Sequence, residues 1–93
     1  MLKVNEYFDG KVMSIALQTE TLPATVGVME PGDYEFGTSQ KEVMTIVSGK
    51  MEALLPGSEE WQTFTNGESF EIEANVKFKV RLSGQTAYFC TYE

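Results

Sequence analysis

The heptapeptide VKFKVRL, residues 76–82, sets Val76, Phe78, Val80 and Leu82 in alternation with Lys77, Lys79 and Arg81. Successive side chains of a strand point to opposite faces of a sheet, so this pattern predicts an antiparallel strand with one buried face and one wet face. The preceding segment repeats it, with Phe70 and Ile72 set against Ser69, Glu71 and Glu73. The basic row Lys77, Lys79, Arg81 therefore points outward, with Glu71 and Glu73 expected as its cross-strand partners.

Turn residues cut the rest of the chain into similar lengths. Asp9-Gly10, Pro23, Pro31-Gly32, Ser48-Gly49, Pro56-Gly57, Asn66-Gly67 and Ser83-Gly84 bound runs of five to nine residues. Asn66-Gly67 lies between WQTFT and ESFEI, and both its residues tolerate positive φ, so it predicts a tight hairpin. Val47-Ser48-Gly49-Lys50 reads as a second turn, joining EVMTIV to KMEALL. No stretch of ten or more residues carries the apolar spacing of a helix. The expectation is one all-β domain spanning residues 1–93, with about eight short strands in a barrel or jelly roll whose interior is the natural pocket.

Ninety-three residues bury only a modest core, and association with a second copy would help it. Seven basic against fourteen acidic side chains give a net charge of −7, which argues against nucleic acid and anionic membrane as partners. No apolar run is long enough to span a bilayer and no basic-then-apolar signal opens the chain, so the expected location is cytoplasmic. The single cysteine, Cys90, has no histidine to activate it and reads as a buried structural thiol rather than a nucleophile.

Glu42 precedes Gly49 by a spacing that resembles the first motif of the cupin superfamily. In cupins two histidines stand before this glutamate and a third comes from a later strand, and together they hold a metal. Here Thr38 and Gln40 occupy the first two histidine positions, Phe78 falls at the third, and the chain contains no histidine. One carboxylate with a hydroxyl and an amide replaces imidazole poorly, so no metal ligand is assigned.

A closer resemblance runs along almost the whole chain. NEYFDGKVMSI at 5–15, VGVM at 26–29, GDYEFGTSQKEVMTIVSG at 32–49, LLPG at 54–57, WQTF at 61–64 and AYFCTY at 87–92 resemble the pyrimidine/purine nucleoside phosphorylase family. That resemblance implies a single-domain cupin-like (RmlC-like) jelly-roll β-barrel, a cytoplasmic homodimer, and metal-independent phosphorolysis of purine and pyrimidine nucleosides. Inorganic phosphate is then the co-substrate, with no cofactor. The chain departs from the family pattern at Glu73, Ala74 and Asn75, where proline, glycine and a histidine are expected, so no role passes to a histidine of that loop.

Phosphorolysis needs phosphate and nucleoside held together, positive charge stabilised on the sugar, and a departing base able to accept a proton. Glu42 is the candidate catalytic residue, its carboxylate accepting ribose hydroxyls beside the developing cation and facing the interior with Met44 and Ile46. Tyr34, Thr38 and Gln40 share a face with Phe36 in the preceding segment and are candidate substrate ligands. Lys11, within the family-like NEYFDGKV stretch, is the candidate phosphate ligand. Trp61 and Tyr88 offer π surfaces for a base, and Tyr92 shares the face of Tyr88. A non-catalytic binding module for a small polar metabolite is the competing reading, and a metal-dependent cupin enzyme the third.

Overall fold

The computed structural model describes residues 1–93 and consists of ten strands with no helix. They are β1 (Val4–Tyr7), β2 (Val12–Gln18), β3 (Pro23–Met29), β4 (Gly32–Gly37) and β5 (Glu42–Ser48), then β6 (Lys50–Leu54), β7 (Gln62–Thr65), β8 (Ser69–Ile72), β9 (Lys77–Leu82) and β10 (Thr86–Tyr92). A six-stranded sheet runs β1-β2-β3-β10-β5-β8 and a four-stranded sheet runs β4-β9-β6-β7. Every pairing is antiparallel. No ladder joins the two sheets, so the jelly roll is an open sandwich and not a closed barrel.

The core lies between the sheets and is built from the alternation read in the sequence. Phe78, Val80 and Leu82 of β9 and Phe70 and Ile72 of β8 are buried with Met29, Met44, Ile46, Met51 and Tyr88. Lys77, Lys79 and Arg81 are exposed. Their neighbours differ from expectation, because β8 lies in the other sheet: Arg81 pairs with Glu52 of β6 at 3.1 Å, and Glu35 of β4 stands opposite Lys79. Glu71 instead faces Lys41 at 3.8 Å.

A turn does form at Asn66-Gly67, where Glu68 N donates to Thr65 O at 2.9 Å and Gly67 has φ 84°. It is not a hairpin. β7 pairs with β6 and β8 with β5, so the turn is a corner at which the chain changes sheets. Its polar groups bond outside it: Gly67 N donates to Ile46 O at 2.7 Å, and Asn66 Oδ1 accepts from Gly49 N at 2.8 Å. Gly49 is itself the corner between β5 and β6, with φ 118°, and a Cβ there would stand 2.9 Å from Thr86 Oγ1. The two corners brace each other, which fixes the end of β5 opposite Glu42. No helix is long and apolar enough to cross a membrane.

Candidate functional site

β5 and β10 pair in the middle of the six-stranded sheet, with Glu42 opposite Tyr92 and Met44 opposite Cys90. Period two therefore sends Glu42 inward with Met44 and Ile46, and Tyr92 inward with Cys90 and Tyr88. All of these but Ile46 line a cavity of about 210 Å³ between the sheets, together with Tyr7, Ser14, Met29, Phe36, Gly37 and Phe78. Its walls are mostly apolar, and Glu42 is the one formally charged side chain among them.

Glu42 is half-buried, and Cys90 Sγ donates to its Oε1 at 3.4 Å. Burial raises the carboxyl pKa above its ordinary value and the thiol bond partly opposes that. The thiol is pushed up to about 12, first by burial and then by the Glu42 charge. Tyr88 is pushed up to about 12, chiefly by burial, with its bond to Ser14 opposing. Tyr92 is raised too, chiefly by burial, while its hydroxyl shares a 2.9 Å hydrogen bond with Thr25 Oγ1. At neutral pH the thiol of Cys90 and the phenols of Tyr88 and Tyr92 therefore keep their protons beside Glu42.

Tyr88 owes its position to Gly27. A Cβ at Gly27 would stand 2.5 Å from Cζ and Oη of Tyr88, so the phenol lies directly over the bare backbone of β3. It thereby shares a cross-strand row with Ser14 on β2.

The remaining predicted ligands lie elsewhere. Tyr34 is buried, but its hydroxyl donates to Glu30 O at 2.7 Å and its ring packs on Phe8 with centroids 5.0 Å apart. Thr38 Oγ1 donates to Glu73 O at 2.6 Å and accepts from Val76 N at 3.1 Å, fastening the loop before β9. Within that loop Asn75 adopts φ 62°, a conformation that asparagine tolerates. Gln40 and Lys11 are exposed and absent from the cavity lining. Trp61 lies on the outer face of the four-stranded sheet, where Arg81 stacks 4.1 Å from its ring centroid. The depression there, about 380 Å³, has two carboxylates and two cations in its lining, Asp33 and Glu35 with Lys79 and Arg81.

Of the predicted set, Glu42 and Tyr88 meet in one cavity. Cys90, Ser14, Tyr7 and Phe36 join them there. The signal for Cys90 was available, since it sits two residues from both Tyr88 and Tyr92. Ser14 is two residues from buried Val12, but only strand pairing shows that its row continues to Tyr88.

The cupin architecture commonly holds a transition metal, and this cavity does not fit one. Its donors are one carboxylate, a thiol held protonated, phenols and a hydroxyl, and no three His, Cys, Asp or Glu side chains converge anywhere in the chain.

The two antiparallel sheets packed over one core make a cupin-like fold. A cupin domain of an XRE-family transcriptional regulator from Enterobacter cloacae superposes with a TM-score of 0.71 at 18% identity, covering 87% of this chain and 94% of that one. A Vibrio parahaemolyticus protein of unknown function superposes with a TM-score of 0.95 at 40% identity, covering 100% and 99%. Among curated proteins, a pyrimidine/purine nucleoside phosphorylase of Alcanivorax borkumensis is 65% identical over 92 residues, 99% of this chain and 98% of the relative. One from Cellvibrio japonicus is 62% identical over 93 residues, the full length of both. The family profile itself matches residues 2–92, and the chain belongs to the pyrimidine/purine nucleoside phosphorylase family.

Proposed function

We propose that the chain is a nucleoside phosphorylase that converts purine and pyrimidine nucleosides and inorganic phosphate into free base and ribose 1-phosphate. It does so without a metal or other cofactor, as a cytoplasmic homodimer. The observation that carries this reading, beside the family, is the single half-buried carboxylate of Glu42 in a cavity otherwise furnished with neutral donors and aromatic walls.

In the reaction the bond between the anomeric carbon and the base nitrogen breaks, and its electron pair leaves with the base. A phosphate oxygen supplies the new bond to carbon, and a proton ends on the base. Positive charge grows on the sugar in between. Glu42 accepts hydrogen bonds from the ribose hydroxyls and stabilises that charge, more strongly in a partly dry cavity than in water. Tyr88 and Phe36 supply surfaces on which different bases rest without a fixed hydrogen-bond code.

The dimer is assigned to the outer face of the six-stranded sheet. Met13, Ile15, Val26 and Val28 stand there in adjacent strands, each at least 40% exposed. A contiguous apolar patch of this kind marks an association surface.

The test is release of adenine from adenosine and uracil from uridine, with and without phosphate, after treatment with a chelator. Phosphate-dependent release is expected, and Glu42→Gln is expected to lower turnover about a hundredfold or more while keeping the fold. The cavity lining contains no cation, a feature that a non-catalytic binding module would share. Absence of base release across a panel of nucleosides would overturn the phosphorylase reading and favour the second one.

A further inference from the structure

Phosphate carries between one and two negative charges at neutral pH, and the cavity beside Glu42 contains no cation to meet them. The chain has seven cations. Lys77, Lys79 and Arg81 alternate with buried Phe78, Val80 and Leu82 and so point away from the cavity. Lys50 precedes buried Met51 and Lys11 precedes buried Val12, which turns both outward by the same rule. Lys41 lies between Glu71 and Glu93, at 3.8 and 3.7 Å.

Lys3 is the exception. Ala16 N donates to Lys3 O at 3.4 Å, which extends the β1–β2 ladder one residue beyond Val4 and Ile15. Lys3 therefore shares a face of β1 with Asn5 and Tyr7, and Tyr7 lines the cavity. Asn5 stands opposite Ser14, Ser14 opposite Gly27, and Gly27 opposite Tyr88. This polar row passes from buried Tyr88 and Ser14 through half-buried Asn5 toward exposed Lys3. None of the ion pairs within the chain involves Lys3.

We infer that Lys3, with Asn5 and Ser14, forms the inorganic-phosphate half of the site, at the end of the concave face remote from Glu42. This assignment rests on the phosphorylase reading for its place in the reaction, but not for the binding itself. Four strand spacings separate β1 from β5, roughly 19 Å between backbones. Strand side chains stand roughly perpendicular to the sheet, so Lys3 and Glu42 project over the same face with β2, β3 and β10 between them, and phosphate held at Lys3 lies behind a ribose at Glu42. The lysine supplies the charge and three donors, and the amide and hydroxyl fix the oxygens. Negative charge elsewhere on the chain makes this single cation decisive.

The experiment is titration of inorganic phosphate alone into wild type, Lys3→Gln, Lys3→Arg and Lys11→Gln, followed by calorimetry. KM values for phosphate and for nucleoside are then measured separately. Lys3 is exposed, so its variants keep the fold. Lys3→Gln is expected to weaken phosphate binding about tenfold or more, Lys3→Arg to restore most of it, and Lys11→Gln to change nothing. The KM for phosphate is expected to follow, with that for nucleoside moving less than about twofold. Phosphate binding by Lys3→Gln equal to wild type, or no phosphate binding by wild type, would overturn the assignment. If wild type binds phosphate, Lys3→Gln does not, and neither releases base, the half-site stands and the phosphorylase reading falls.

Discussion

Replacing Gly27 by alanine tests whether the floor of the cavity is built as described. The added Cβ would stand 2.5 Å from Tyr88 Cζ and Oη and 2.6 Å from Cε1. Carbon atoms in ordinary contact keep about 3.5–4.0 Å, so the ring must retreat by roughly 1 Å or more. Tyr88 is 6% exposed and packed in the core, which leaves it no free direction. Displacing the ring from its rotamer costs about 0.5–1.5 kcal/mol. With the shifts forced on its packed neighbours, the overpacking costs about 1–3 kcal/mol in all. Against this, alanine restricts the unfolded chain and returns about 0.4–1 kcal/mol. The net expectation is destabilisation by about 1–2 kcal/mol, read as a lower urea midpoint at unchanged slope. In a Tyr88→Ala background the same substitution is expected to be neutral or slightly stabilising, so the double-mutant cycle reports a coupling near 2 kcal/mol. A Gly27→Ala variant as stable as wild type, or a cycle without coupling, would refute the close approach.

Other perturbations separate structural from functional roles. Burial raises the pKa of Glu42 above 4.5 in the folded chain, so its contribution to stability is full below that pH and lost as pH rises through the raised folded value. Glu42→Gln removes that loss: its Tm is expected to exceed wild type near pH 8 and match it near pH 4, and an equal offset at both would contradict the assignment. Thr38→Val leaves a carbonyl and an amide of the loop before β9 unpaired and is expected to cost about 1–3 kcal/mol in urea unfolding without changing the KM for nucleoside. A changed KM at unchanged stability would return Thr38 to the ligand. Val26→Asp on the apolar sheet face is expected to halve the mass seen by sedimentation, and a mass equal to wild type would place the association surface elsewhere.

Much of the architecture was legible because period-two patterning reports which face of a strand is buried without reference to its neighbours. Residues 77–82 and 69–72 carried that information unaided, whereas the inward face of Glu42, Met44 and Ile46 followed only from the cupin-like placement, because Val43 and Val47 make the other face of that run apolar too. Pairing was not legible, because it depends on where the chain changes sheets. Asn66-Gly67 has the composition of a hairpin turn yet serves as a corner, since its donors and acceptors find β5 and Gly49 in place of each other. The same limit governs the site. Thr38 and Tyr34 were singled out by face, but each hydroxyl is committed to a backbone carbonyl distant in sequence or at a turn. Lys11 was chosen by its motif and Trp61 by its chemistry. Only the strand pattern turns Lys11 away from the cavity and sets Lys3 on the face of Tyr7, and only the stacking of Arg81 puts Trp61 on the outer face.

The lack of histidine bears on the electrostatics as well as on the metal. A cupin glutamate beside three imidazoles and a divalent ion is neutralised before substrate arrives. Glu42 has no such counter-charge: Cys90, Tyr88, Tyr92 and Tyr7 face it from β10 and β1, and the neighbouring β8 and β9 contribute Ile72 and Phe78. The Cys90 bond holds the carboxylate without cancelling it, because a thiol pushed up to about 12 donates a hydrogen bond and keeps its proton. On the phosphorylase reading, the missing counter-charge is the sugar cation itself. At about 4 Å and an effective dielectric near 20, that attraction is worth about 4 kcal/mol, or roughly three powers of ten in rate. A carboxylate already paired with a metal would forfeit most of that difference, since only interactions stronger in the transition state than in the ground state accelerate the reaction. Losing the imidazoles thus leaves this glutamate free to act on the sugar directly.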